Sequence, residues 1–430
     1  MRAGDVFLFL RNSLGIFRDN AAEARQVTRF LRALAGVLDE QGWEELAVAD
    51  LTAFAARIGA EAPLLDALQQ AGRLDRLSPA ERRAGVGQAA KTALWNQGYL
   101  DELARIGRQL GVKGVDYLVV RGPVLVARAY GDPLKRRFTD LDLLVRPEQL
   151  DGALHALAHA GYERTQRTDR DIKRRGWKGV IELIREGEPR SFDVDLHTTL
   201  LNRRRLQPVF DLDAPDVWDQ RTAEALSGIG RVPALGLEDS LIQAVAHLAL
   251  QHQMSDLRSL LDCAMLVRRK GGEIRGDRLL ARARQAGCET LLSCVLSMIG
   301  EIVPLPEDEG LQRAAARGRN ERARHPLSMF FSIQNCLPEL RETDFAAWQW
   351  VVERQSLFST IDRLGTAIRL ALSESVPSAW RVRRLRSRRL SRLGRLLWSV
   401  PMGGLLPWYL PVLLGHVAFV RFLGPLTPSR

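Results

Sequence analysis

The chain has 430 residues, 46% hydrophobic and 26% charged, with a formal net charge of +11. That composition belongs to a globular protein and excludes wholesale disorder, while the length exceeds one ordinary domain and calls for two or three units. The positive surplus speaks of anionic partners or surfaces rather than of fold.

In chain order, the opening MRAGDVFLFLRNSLGIFRDN has a short apolar patch but neither a long apolar core nor a cleavage site, so no secretory signal is read. From about Ala21 to Leu110 apolar residues recur at three and four, as in VTRFLRALAGVL and LTAFAARIGA. The box SPAERR marks a helix start at Ser78. The texture then changes. VDYLVV (Val115 to Val120) reads as a strand, VLVARAY as a helix, Gly131 to Pro133 as a turn and LDLLV as a second strand. PEQLDGALHALAHAG is a well-marked helix, and KGVIELIRE and SFDVDLH are further strands. This is an α/β unit with a small mixed sheet.

From about Leu206 the pattern reads as helices again, including LEDSLIQAVAHLALQHQ and LRSLLDCAMLVRR, and continues so to about Ser375. The last stretch has no Asp or Glu after Glu374, is dense in arginine from Arg381 to Arg395, and is uncharged from Ser399 to Val420. The expected division is a helical N-terminal domain (1–108), an α/β core (109–205), a helical C-terminal domain (206–375) and a basic, then apolar tail (376–430). Cys263, Cys288, Cys294 and Cys336 show no paired metal-type spacing and fit small core thiols in a reducing cytoplasm.

The chemistry concentrates in RRFTDLDLLV. Asp140 and Asp142 are two residues apart on an extended chain, so both carboxylates point the same way, while Leu141, Leu143 and Val145 face the core. Two like charges so placed repel unless a cation lies between them, and a hard divalent metal with oxygen ligands, Mg²⁺ or Mn²⁺, suits them. Asp193 and Asp195 in FDVDLH again share one face. If the two strands are neighbours, the Asp140/Asp142 pair and a third carboxylate converge, as a two-metal phosphoryl-transfer site requires; Asp195 is that third acid, with Asp193 on the same face to substitute or assist. Arg121 and Arg136 are placed to meet phosphate charge, and Gly122, between strand and helix, lets backbone amides approach it.

VVRGPVLVARAYGDPLKRRFTDLDLLVRPEQLDGALHALAHAGYE followed by FDVDLH resembles the uncharacterised nucleotidyltransferase family of the DNA polymerase β superfamily. The matching positions are Gly122, Tyr130, Arg136, Asp140, Asp142, Asp195 and His197, with His247, His252 and Asp262 in the later helical segment. The likeness runs from about Gly111 to Val267. It implies an α+β fold, with a polymerase-β-like nucleotidyltransferase core flanked by helical N- and C-terminal domains. It also implies transfer of a nucleoside monophosphate from an NTP to a hydroxyl or phosphate acceptor, releasing pyrophosphate. Asp140, Asp142 and Asp195 would be metal ligands and catalytic residues, and Arg121, Gly122 and Arg136 would bind the triphosphate. Two departures are visible: Arg121 stands where the family has Lys, and Pro123 removes one N–H after the glycine.

Blander readings stand beside these. His197 reads as a supporting or packing histidine, Tyr130 as core, and Arg136 equally as a partner for Asp132 or Asp140. His247 and His252 are five apart, which favours a buried hydrogen-bonded cluster or a cleft lining over a zinc trio with Asp262. The basic runs Arg167 to Lys178 and Arg203 to Arg205 are solvated faces by default, or draw in an anionic acceptor. The tail reads first as a packed or partner-binding segment. The alternative is docking at the inner face of an anionic membrane through 381–422, with Trp398, Trp408 and Tyr409 at headgroup depth; no transmembrane span is expected. The competing functions are a catalytically inactive nucleotide- or anion-binding scaffold, a membrane-surface assembly factor, and a phosphotransferase that moves the γ-phosphate.

Overall fold

A computed structural model describes residues 21–324 apart from 167, 170–178, 188–189, 202–209, 214–216 and 253–255. The opening segment, Cys336, the helices expected beyond 324, the tail, Arg203 to Arg205 and most of the run from Arg167 lie outside the described residues.

Short amphipathic helices come first: α1 (Ala21–Leu34), α2 (Glu40–Glu44), α3 (Val48–Ile58) and α4 (Glu61–Gln70), which bury Leu31, Leu34, Leu51, Phe54, Leu64 and Leu68. The long α5 (Pro79–Val112) starts where the sequence places it. Ser78 Oγ accepts from Glu81 N at 3.2 Å, and Ser78 N donates back to the Glu81 carboxylate at 2.9 Å. Its buried stripe begins only at Thr92 and runs through Asn96, Tyr99, Leu103, Ile106 and Leu110. The second half of α5 is therefore the part that lies on the core.

Next come β1 (Tyr117–Val119), α6 (Pro123–Tyr130), β2 (Leu141–Val145), α7 (Leu150–His159), β3 (Glu163–Arg164), β4 (Val180–Arg185) and β5 (Phe192–His197). β2 is buried at all five positions, so both its faces are covered, unlike the one-sided burial that its alternation suggests. It pairs antiparallel with β1 and parallel with β5, in the register Asp142 to Asp195 and Leu144 to His197. The two acidic strands are thus direct neighbours.

One expectation is corrected. The stretch after Leu206, read as helical, contains a hairpin of β6 (Thr222–Leu226) and β7 (Gly230–Ala234). Gly228 takes φ +83° in its tight loop, a conformation open to glycine. β7 joins β1 in parallel, which completes a mixed sheet of seven strands among the described residues, in the order β3-β4-β5-β2-β1-β7-β6. The hairpin was hidden because β6, TAEAL, is an edge strand of good helix formers. Buried Arg128 on α6 ties it down, donating to Glu224 at 2.7 Å and to the Leu235 carbonyl at 2.9 Å.

The helices α8 (Leu237–Ala246), α9 (Leu257–Lys270), α10 (Gly276–Gln285), α11 (Glu289–Ile302) and α12 (Glu309–Arg324) follow. Nearly every residue of α8 and α11 is buried, while α9 packs its apolar side on α6. No helix among the described residues is long and apolar enough to cross a membrane.

Candidate active site

Three backbone features deliver the acids. Gly122 caps α6 with φ +54°, and a Cβ there would lie 3.4 Å from the Asp140 carbonyl oxygen, so this turn rests on the start of β2. Val120 N donates to the Asp142 carbonyl at 3.0 Å. From the other side α5 grips the segment that leads to Asp140. Asn96 Nδ2 donates to the carbonyls of Pro133 and Arg136 at 2.8 Å each, Trp95 Nε1 to that of Phe138 at 2.8 Å, and the Tyr99 hydroxyl to that of Thr139. In the sequence, WNQGY reads as ordinary helix. The signal available was a lone Asn between two aromatics on the apolar stripe, since a buried amide needs partners.

At the centre, one ligand atom each from Asp142, Asp195 and His197 lies within 4.8 Å of the others. Asp140, immediately before β2, flanks this group. His197, expected to pack or support, belongs to the converging set. Its Nε2 is 3.0 Å from Asp142 Oδ1, and because Asp142 is ionised, that nitrogen carries the proton. His197 Nδ1 is buried with no hydrogen-bond partner. The Arg121 guanidinium pairs with Asp142 and reaches the ring of His247, which is 2.8 Å from His252.

The five-residue spacing of those histidines is explained by a π-helical turn over His247–Gln251, closed by His252 N donating to the His247 carbonyl at 3.0 Å. An i to i+5 turn puts both rings on one side, which an α-helical reading forbids. Asp262 does not complete a trio with them. It holds Arg136 through both carboxylate oxygens and accepts the Tyr130 hydroxyl at 2.7 Å. Thus neither arginine expected at the triphosphate stands free: Arg121 binds Asp142 and Arg136 binds Asp262.

The charges do not balance. Burial, then the charge of Asp142, raises Asp140 to about 6. Burial, then Asp142 and Asp140, raises Asp195 to about 8. Asp142 is buried too, but Arg121 and then His197 hold it well below the ordinary carboxylate range. Burial, reinforced by Arg121 and His252, keeps His247 neutral. One guanidinium therefore faces three carboxylates, and two of them hold protons more tightly than an ordinary aspartate. That is the donor set and the charge deficit that a divalent metal fits: hard oxygens, one imidazole, and acids whose ionisation waits for a cation.

A family model described as uncharacterised nucleotidyltransferase matches residues 19–304. The chain belongs to that family. The match takes in the N-terminal helices, the sheet and α8 to α11, well beyond the segment whose motifs carry the resemblance. No curated protein matches the chain. The family membership and the acid–histidine cluster together support a nucleotidyltransferase with a metal-binding capability.

Proposed function

We propose that this chain transfers a nucleoside monophosphate from an NTP to a hydroxyl or phosphate acceptor and releases pyrophosphate, on a core of the polymerase β superfamily type. The observation that carries the reading is the register of β2 on β5, which places Asp142 beside Asp195 with Asp140 and His197 at their flanks. Asp142, Asp195 and Asp140 would hold Mg²⁺ or Mn²⁺, with His197 orienting Asp142 or adding a nitrogen ligand. Such an ion, when bound, supplies the positive charge that steadies phosphate oxygens during transfer.

The chain's own groups do the rest. In the reaction the acceptor oxygen bonds to the α-phosphorus, the bond from that phosphorus to the bridging oxygen breaks, and pyrophosphate leaves with the electron pair. Asp195, in the ionised form that a bound cation would favour, takes the acceptor's proton at its carboxylate. Arg121 releases Asp142 and turns its guanidinium toward the triphosphate, which also meets the backbone beside Gly122. Arg136 keeps its bond to Asp262 and acts on the triphosphate through its field.

The test is binding of ATP, CTP, GTP and UTP with and without Mg²⁺, with pyrophosphate release followed in the same samples. Mg²⁺-dependent binding that Asp140→Asn/Asp142→Asn abolishes, together with pyrophosphate release, bears out the reading. A folded protein that binds no nucleotide contradicts it. The ion pair of Arg121 with Asp142 favours one second reading, a nucleotide-binding scaffold whose acids are already partly neutralised from within. Metal-dependent binding with no pyrophosphate released across a broad set of acceptors would select it.

A further inference from the structure

A cleft of about 310 Å³ opens between the N-terminal helices and the α/β core, away from the acidic strands. Its walls come from α1, α4, α6 and α9. Its exposed lining is mainly polar: Asp66, Lys135, Arg268 and Arg269 supply charge and Gln70 an amide, with Leu34, Pro63, Ala67, Ala129 and Met265 beneath them. Asp66 pairs with Lys135. The two arginines, adjacent in the last turn of α9, have no carboxylate partner among the described residues.

Arg268 Nη2 donates to the Gly36 carbonyl at 3.3 Å. Arg269 lies across Gly131, where a Cβ would come within 2.4 Å of its Nη2. Both guanidiniums thus rest on glycine corners with positive φ, at Gly36 and Gly131. Burial, then the charge of Arg269, lowers Arg268 below the usual arginine value, so the pair is left facing its own repulsion. The negative end of the α9 macrodipole offsets only part of this.

We propose that this cleft binds a small phosphorylated organic molecule, its phosphate held by Arg268 and Arg269 and its polar skeleton lying along Gln70 and Lys135. The volume sits at the lower end of small-molecule pockets, roughly 300–1,000 Å³, which suits one phosphorylated sugar or nucleoside. Tyr130 is a wall of the cleft, and its hydroxyl holds the Asp262 that fixes Arg136. The bound molecule would therefore sit one side chain away from the network behind the acidic strands.

The experiment is calorimetric titration of the full chain in EDTA with ribose 5-phosphate and with inorganic phosphate. Without metal the acidic site repels phosphate, so binding there does not interfere. Wild type should bind ribose 5-phosphate more tightly than inorganic phosphate. Arg268→Gln/Arg269→Gln should weaken it at least tenfold, with unchanged melting temperature and unchanged basal pyrophosphate release. Asp66→Asn, which removes the one carboxylate of the described lining and frees Lys135, should tighten it, an effect that misfolding does not produce. No binding of either probe by wild type, or equal affinities across the three proteins, overturns the proposal. Loss of pyrophosphate release in wild type bears on the transfer reaction alone.

Discussion

Two buried Arg–Asp pairs sit on the same α/β segment and serve different ends. Arg121 with Asp142 and Arg136 with Asp262 are similarly enclosed, with the arginines 12% and 14% and the aspartates 3% and 2% exposed. Asp262 is saturated: both oxygens take Arg136 and one also takes Tyr130. Asp142 shares its arginine's field with Asp140 and Asp195, and both of these are pushed toward neutrality by burial and by Asp142. The Asp262 cluster is a closed structural joint between α6, the segment before β2, and α9. The Asp142 cluster is left short of positive charge, which costs stability without a bound cation and makes sense as a place for one.

The sharpest way to break this contrast is to remove each aspartate. Asp142→Asn should lower pyrophosphate release by about a thousandfold, the scale on which losing a transition-state charge stabiliser is felt. Its melting temperature should change little, because Arg121 keeps Asp140 and Asp195 in its field. Asp262→Ala should do the reverse in kind, costing about 3–5 kcal/mol of stability in denaturant titration because Arg136 is left buried and unpaired.

Next in size is a pH effect. Asp195 titrates at about 8 in the fold, against an ordinary aspartate value of about 3.9. Its neutral form is the one the fold prefers, so its contribution is full below the ordinary value and is lost as pH rises toward 8. Metal-free wild type should therefore melt at progressively lower temperature between pH 5 and pH 9. Asp195→Asn should flatten that slope and melt higher than wild type at pH 9, while losing activity. Mg²⁺ binding by wild type should release protons and tighten over the same range, visible as a buffer-dependent binding enthalpy.

Arg121→Gln sharpens the comparison differently. It removes the resident cation from Asp142, so Mg²⁺ should bind about tenfold more tightly without nucleotide, while NTP turnover falls; Arg121→Lys should restore part of the turnover. The smallest expected effect belongs to Asn96→Ala. It strips three hydrogen bonds from the segment that sets Asp140, costing about 1–3 kcal/mol of stability for the unsatisfied backbone groups and a several-fold drop in activity.

Much of this was legible in the sequence because the acids lie on strands with strict alternation. Spacing points to Asp140 and Asp142, the family resemblance prefers Asp195 to Asp193 on the same face, and the register that joins β2 to β5 is a condition that only pairing meets. The start of α5 was equally legible, since Ser78 and Glu81 cap each other locally. What was not legible depends on distant partners. The pairing of Arg121 with Asp142 and of Arg136 with Asp262 joins residues far apart in sequence and leaves no local signal. The hairpin of β6 and β7 was lost to its helix-forming composition. The histidine pair is the hydrogen-bonded cluster that its spacing favours, but the π turn that brings the two rings together leaves no local signal.

The most direct measurement is Mg²⁺-dependent NTP binding by wild type and by Asp142→Asn, with pyrophosphate release read in the same samples. The account predicts binding and release by wild type in Mg²⁺, and neither by the folded variant. Nucleotide binding of equal strength in both proteins, with or without Mg²⁺, would contradict it and place the site elsewhere than on β2 and β5.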